Sequence, residues 1–163
     1  MALINNYEVL DMALQIERNG IRFYGKAADQ APDESLRRLL RGLADMERGH
    51  EQLFLDMRAG MPPAERQVDL ADKEGVAAAY LDSLMRGLLF DPATDPIAWL
   101  DASPTPVEVL KRAIALEKDS VLFYLGIREI VAMDAHTRKI DQIIKEEKSH
   151  IVMLSGELRK LMA

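Results

Sequence analysis

The chain has 163 residues, 48% of them hydrophobic and 29% charged, which suits one compact domain with a sizeable core. A net charge of −6 and a pI near 5.1 argue against a polyanion-binding surface, so nucleic acid is not an expected partner. With no cysteine, a disulfide framework, thiol catalysis and Cys-ligated metal are excluded, and any metal must bind through oxygen and nitrogen.

The opening stretch "MALINNYEVLDM" lacks the basic and apolar regions of a secretory leader, and no run of about 18 apolar residues occurs. The expectation is a soluble, cytoplasmic protein with no membrane partner. The periodicity then predicts a first helix over about 6 to 30, with Asn5 as N-cap and Glu8 three residues later. Its seam places Glu17 among Leu10, Leu14, Ile21 and Tyr24.

A second helix is predicted over about 34 to 59, after Pro32 and Asp33, ending at Gly60 and Pro62. Leu36, Leu40, Leu43, Glu47, His50, Phe54 and Met57 fall at alternating steps of four and three and so share one face. Residues 61 to 103 form a crossover. It contains a shorter amphipathic helix, "EGVAAAYLDSLMRGLL", and a Pro- and Asp-rich stretch, "FDPATDPIAWLDASPTP", in which Trp99 is read as an anchor. Val76, Tyr80, Leu84 and Leu88 on the short helix either cap their own bundle or meet a second copy; a homodimer is the expected assembly.

A third helix begins at "TPVE", where Thr105 caps, Pro106 takes the first helical position and Glu108 completes a capping box. Its seam places Glu117 among Leu110, Ile114, Val121 and Tyr124. The fourth, over about 134 to 161 with Asp134 as cap, carries Ile140, Ile143, Glu147, His150 and Leu154 on one face.

An internal repeat at an offset of 100 residues organises these elements. "VLDMALQIERNGIRFY" (9 to 24) lies over "VLKRAIALEKDSVLFY" (109 to 124), and Glu47 and His50 then lie over Glu147 and His150 without a gap. The halves read as two duplicated helix hairpins, 6 to 60 and 105 to 161, within a single domain spanning 1 to 163. Short turns make each pair antiparallel, and one long crossover joins them.

Four carboxylates and two imidazoles therefore face inward. Burying one unpaired carboxylate costs several kcal/mol, and four together also repel one another. Few basic residues fall on these seams. Two divalent cations would balance the four carboxylates, with neutral imidazoles completing the coordination, and Glu-x-x-His places its two side chains about 5 to 6 Å apart on one face. Three His among thirteen Glu give roughly 0.24 such matches by chance, so one match is weak, whereas two in register with two further matched Glu are specific. The bland alternative is a polar seam satisfied by water or neighbouring side chains.

At these residues the chain resembles the rubrerythrin group of the ferritin-like superfamily, particularly members without a rubredoxin domain. The resemblance covers about 6 to 60 and 105 to 161. It implies an all-α, ferritin-like four-helix bundle with one long crossover containing a short extra helix. It also implies two iron ions per chain, with Mn or Zn equally compatible with the ligand types. Glu17 and Glu117 would be terminal ligands, Glu47 and Glu147 bridging ones, and His50 and His150 would bind one metal each.

There are two departures. Where the family's third helix usually carries another Glu one turn on, this chain has Ser120, with Gly20 as its repeat mate, which resembles the six-ligand version seen in bacterioferritins. Without cysteine there is no rubredoxin centre in these residues, so turnover needs an external electron donor, such as a rubredoxin-like protein.

The function expected is a non-haem dimetal oxidoreductase reducing hydrogen peroxide or dioxygen. The alternatives are a ferroxidase or iron-handling protein and a metal-stabilised helical scaffold for partner binding. Tyr24 and Tyr124, seven residues after their Glu on the same face, are read either as hydrogen-bond donors to the site or as core residues. Glu51 and Glu146 are turned about 100° from the seam and are read as solvated or interfacial. His136, near a helix start, is read as surface.

Overall fold

The first helix starts where capping chemistry requires it. The Asn5 side chain accepts hydrogen bonds from the backbone N–H groups of Tyr7 (3.0 Å) and Glu8 (2.9 Å), and the Glu8 carboxylate accepts from the Asn5 N–H at 2.9 Å. The computed structural model describes residues 5–66, 76–87, 97–130 and 134–163. Helix α1 spans Asn6–Gln30 and α2 spans Glu34–Ala59. Between them Asp33 caps α2 by accepting from the Leu36 N–H at 2.9 Å.

A single turn, α3 (Pro63–Arg66), follows, then α4 (Val76–Gly87) and a 3-10 turn at Ala98–Ala102. Helix α5 (Pro106–Ile130) opens on the second capping box. There the Thr105 N–H donates to the Glu108 carboxylate at 2.7 Å, and the Glu108 N–H donates to the Thr105 hydroxyl at 3.3 Å. Helix α6 runs Asp134–Met162, beginning at the residue expected to cap it. None of the described helices is long and apolar enough to cross a membrane.

Helix α1 packs along α2 and α5 along α6, and the hairpins meet through α1 against α5 and α2 against α6. This is an all-α, ferritin-like bundle of four long helices. Leu10, Leu14, Leu36, Leu40, Leu43, Phe54, Met57, Leu110, Ile140, Ile143 and Leu154 are all buried. At about 1.5–3 kcal/mol for each fully buried large apolar side chain, this seam offsets a polar layer that is costly by itself.

The crossover helix packs differently from its expected stripe. Val76 is 65% exposed and Tyr80 39%, whereas Leu81 is fully buried, so α4 seats on Leu81 and the partly buried Leu84. Leu88 lies outside the described residues. Gly126 explains the placement: a Cβ there would lie 2.7 Å from Cε1 of Tyr80 and 3.2 Å from Cδ2 of Leu81, so only glycine lets α4 approach α5 this closely. The Tyr80 hydroxyl donates to the Leu122 carbonyl at 3.3 Å. Trp99 packs against the core with the Arg112 guanidinium 5.2 Å from its ring centroid, and Gln30 donates to the Leu100 carbonyl at 3.2 Å, pinning the 3-10 turn to the end of α1.

Candidate metal centre

Each long helix delivers its seam carboxylate to the middle of the bundle: Glu17 from α1, Glu47 from α2, Glu117 from α5 and Glu147 from α6. His50 and His150 stand one turn beyond Glu47 and Glu147. All six are buried, none more than 4% exposed.

They divide into two sets. Glu17, Glu47, His50 and Glu147 offer ligand atoms within 4.8 Å of one another, and so do Glu47, Glu117, Glu147 and His150. Glu47 and Glu147 belong to both, and each splits its oxygens between the imidazoles. Glu47 Oε2 lies 3.4 Å from His50 Nδ1 and its Oε1 lies 3.6 Å from His150 Nδ1. Glu147 Oε1 lies 3.2 Å from His50 Nδ1 and its Oε2 lies 2.9 Å from His150 Nδ1. Glu17 is 3.5 Å from the first imidazole and Glu117 is 3.5 Å from the second. The two rings stack at 5.8 Å between centroids.

These atoms face common points rather than bonding one another. Among the described residues, Glu17 Oε2, Glu147 Oε2 and both Nδ1 atoms are buried without a hydrogen-bond partner. Buried polar atoms ordinarily find partners, so this many orphans in one layer fit a donor set aimed at bound cations. Oxygen and imidazole donors without thiolate suit iron, manganese or zinc.

The electrostatics agree. Burial, then the Glu47 charge, pushes the Glu17 carboxyl well above the ordinary range, and burial does the same at Glu117. Burial also raises Glu47 and Glu147, but the facing imidazoles outweigh it and bring both down, Glu47 to about 2. Burial lowers the imidazoles, yet the surrounding carboxylates drive both up, His50 far above its usual value and His150 to about 12. With protons on both imidazoles and on Glu17 and Glu117, the direction in which each is shifted, the layer would be neutral. Two divalent cations with four carboxylates and neutral imidazoles would make it neutral as well.

Tyr24 and Tyr124 both point into this layer and cross between hairpins. Tyr24 donates to Glu117 and Tyr124 to Glu17, in short hydrogen bonds. Burial, then the carboxylate charges, raises both phenols, so they keep their protons and remain donors. Gly20 and Ser120 line a cavity of about 10 Å³ with Ile16, Tyr24, Glu47, Leu116 and Glu117, close to the space one water needs. The Ser120 hydroxyl donates to the Leu116 carbonyl at 3.1 Å and is thus engaged on its own helix.

Two residues sit otherwise than expected. Glu146 reaches across to His50, with Oε2 2.8 Å from Nε2, and its other oxygen accepts from Gln142 Nε2 at 2.9 Å. The approximately 100° step from Glu147 pointed away from the seam, but α2 and α6 adjoin and a Glu side chain spans that gap. His136 is buried at 9% exposure instead of facing solvent. Glu51 pairs with Arg18 at 2.7 Å on the outer surface, in line with its reading.

Residues 8–87 match the family model described as Rubrerythrin, a range that includes Glu17, Glu47 and His50. None of the curated proteins matches the chain. Among solved structures, a Thermotoga maritima protein described as a ferritin-like diiron-carboxylate protein is similar, with a TM-score of 0.76. The match covers 98% of this chain and 97% of that one at 24% identity, a likeness of fold.

Proposed function

We infer that this chain, a ferritin-like protein of the rubrerythrin family, is a dimetal carboxylate oxidoreductase. It would hold two iron ions and reduce hydrogen peroxide or dioxygen with electrons from an external donor. One observation carries the reading: two buried ligand sets share Glu47 and Glu147, whose paired oxygens are divided between the two halves.

Glu17 and His50 complete one position, and Glu117 and His150 the other. A ferrous pair supplies two electrons, the number that takes hydrogen peroxide and two protons to two molecules of water. Tyr24 and Tyr124 hold Glu117 and Glu17 in place, reducing the freedom of each carboxylate to turn away. The apolar seam keeps bulk water out, and the water-sized cavity beside Gly20 and Ser120 marks the side from which a small oxidant would approach the centre. The 163 residues contain no cysteine and hence no second iron centre of rubredoxin type, so electrons would arrive from a donor outside these residues.

A second reading, ferroxidase or iron handling, is favoured by the engaged Ser120 hydroxyl and the bare Gly20, which leave the ligand set at six. Anaerobic loading with Fe²⁺, followed optically as peroxide or dioxygen is added, separates the two. Faster oxidation by peroxide with iron retained over repeated cycles supports the oxidoreductase. Faster oxidation by dioxygen with ferric iron leaving the site supports the ferroxidase.

A further inference from the structure

The repeat makes the two halves of the centre nearly equivalent, and one departure stands out against it. His50 Nε2 is paired with Glu146 Oε2 at 2.8 Å, and Gln142 holds that carboxylate from its other side at 2.9 Å. The repeat mates of Glu146 and Gln142 are Met46 and Gly42. Neither supplies a carboxylate to His150. Its Nε2 is buried and has no hydrogen-bond partner among the described residues.

The difference bears on ligand strength. A carboxylate on Nε2–H fixes the tautomer, leaves the Nδ1 lone pair facing Glu17, Glu47 and Glu147, orients the ring and makes it more basic. His150 must present its Nδ1 toward Glu47, Glu117 and Glu147 without that support. We propose that the two metal positions are unequal, the Glu17–His50 position being the tighter because Glu146 orients His50, and the Glu117–His150 position the weaker and more exchangeable. Glu146 is thus a positioning residue, and the proposal rests on the dimetal reading above.

Loss of such a partner typically weakens metal binding roughly 10- to 100-fold. Anaerobic calorimetric titration of the full chain with Fe²⁺ should therefore resolve two steps separated by about that factor. Glu146→Ala should weaken the tighter step roughly 10- to 100-fold and leave the weaker one in place. Met46→Glu should tighten the weaker step. The Glu146 side chain is 44% exposed and Met46 37%, so neither change buries a new charge, and thermal melts of both variants check that the fold is kept.

Equal steps in the unaltered chain, a parallel loss of both steps in Glu146→Ala, or no gain in Met46→Glu would overturn the inequality while leaving two bound ions. Failure of the unaltered chain to take up two ions would overturn the dimetal reading itself.

Discussion

Tyr124 on α5 donates its hydroxyl hydrogen bond to Glu17 on α1, and so ties one hairpin to a carboxylate of the other. Its repeat mate Tyr24 makes the reciprocal bond to Glu117. Phenylalanine at either position keeps the packing, including the 5.5 Å stack of Phe54 on Tyr124, and removes only the donor. Leaving a buried carboxylate oxygen without its partner costs about 1–3 kcal/mol. Tyr124→Phe should lower stability by that amount in denaturant unfolding. Each variant should also weaken one metal position, Glu17 in Tyr124→Phe and Glu117 in Tyr24→Phe, with the other position unchanged in a metal titration.

The pH dependence follows from which groups hold more protons when folded. Glu17, Glu117, His50 and His150 are all raised, so the metal-free chain loses stability as pH climbs above the ordinary carboxylate value of 4.5, and again above the imidazole value of 6.5 toward about 12. Glu47, held at about 2, and the lowered Glu147 work the other way, their contribution being present above 4.5 and lost toward pH 2. The metal-free chain is accordingly most stable near pH 4.5, where both sets of carboxylates turn over. Metal must displace protons from the same ligands, so its stabilising effect should widen from pH 5 to 7.5. Thermal midpoints with and without divalent metal across that range check this, and a constant or shrinking gap counts against it.

Gly20 tests the cavity. Alanine in a helix interior ordinarily gains about 1 kcal/mol over glycine. Here its Cβ would lie 3.3 Å from Cγ of Glu47, so that carboxylate must give by a few tenths of an ångström. Gly20→Ala should keep or raise the thermal midpoint and still slow oxidation of the iron-loaded protein by peroxide, by about tenfold, since small misplacements at a reacting centre are costly. An unchanged rate in stopped-flow measurement would separate the cavity from the oxidant's path.

Much of this was legible in the residues because helices announce themselves locally. Asn5 with Glu8 and Thr105 with Glu108 set two helix starts, and both capping boxes are present in the structure. The steps of four and three carried Glu47 and His50 onto the buried seam, and the offset of 100 residues carried Glu147 and His150 with them. What escaped depends on neighbours in space. Glu146 lies off the seam of α6 and gains its role only because α2 runs beside it. Leu81 takes the buried face of α4 because Gly126 on α5 opens a seat for it, and nothing in the α4 stripe marks that. His136 is buried at the start of α6, which a local pattern does not record.

Shared carboxylates make the two metal positions interdependent, so a bridging residue and a terminal one should fail differently. Glu17→Ala removes one end of one set and should leave a single ion, held by Glu117, His150 and the shared pair. A readout of metal content per chain after gel filtration distinguishes this from global unfolding, which the far-ultraviolet helical signal monitors.

The most direct measurement is an anaerobic Fe²⁺ titration of the metal-free chain beside its Glu47→Ala and Glu147→Ala variants, followed to the end point. Two ions per unaltered chain and at most one in either variant are the results predicted by two ligand sets that share those carboxylates. Two ions retained in either variant would contradict the bridging assignment, and fewer than two in the unaltered chain would contradict the dimetal centre.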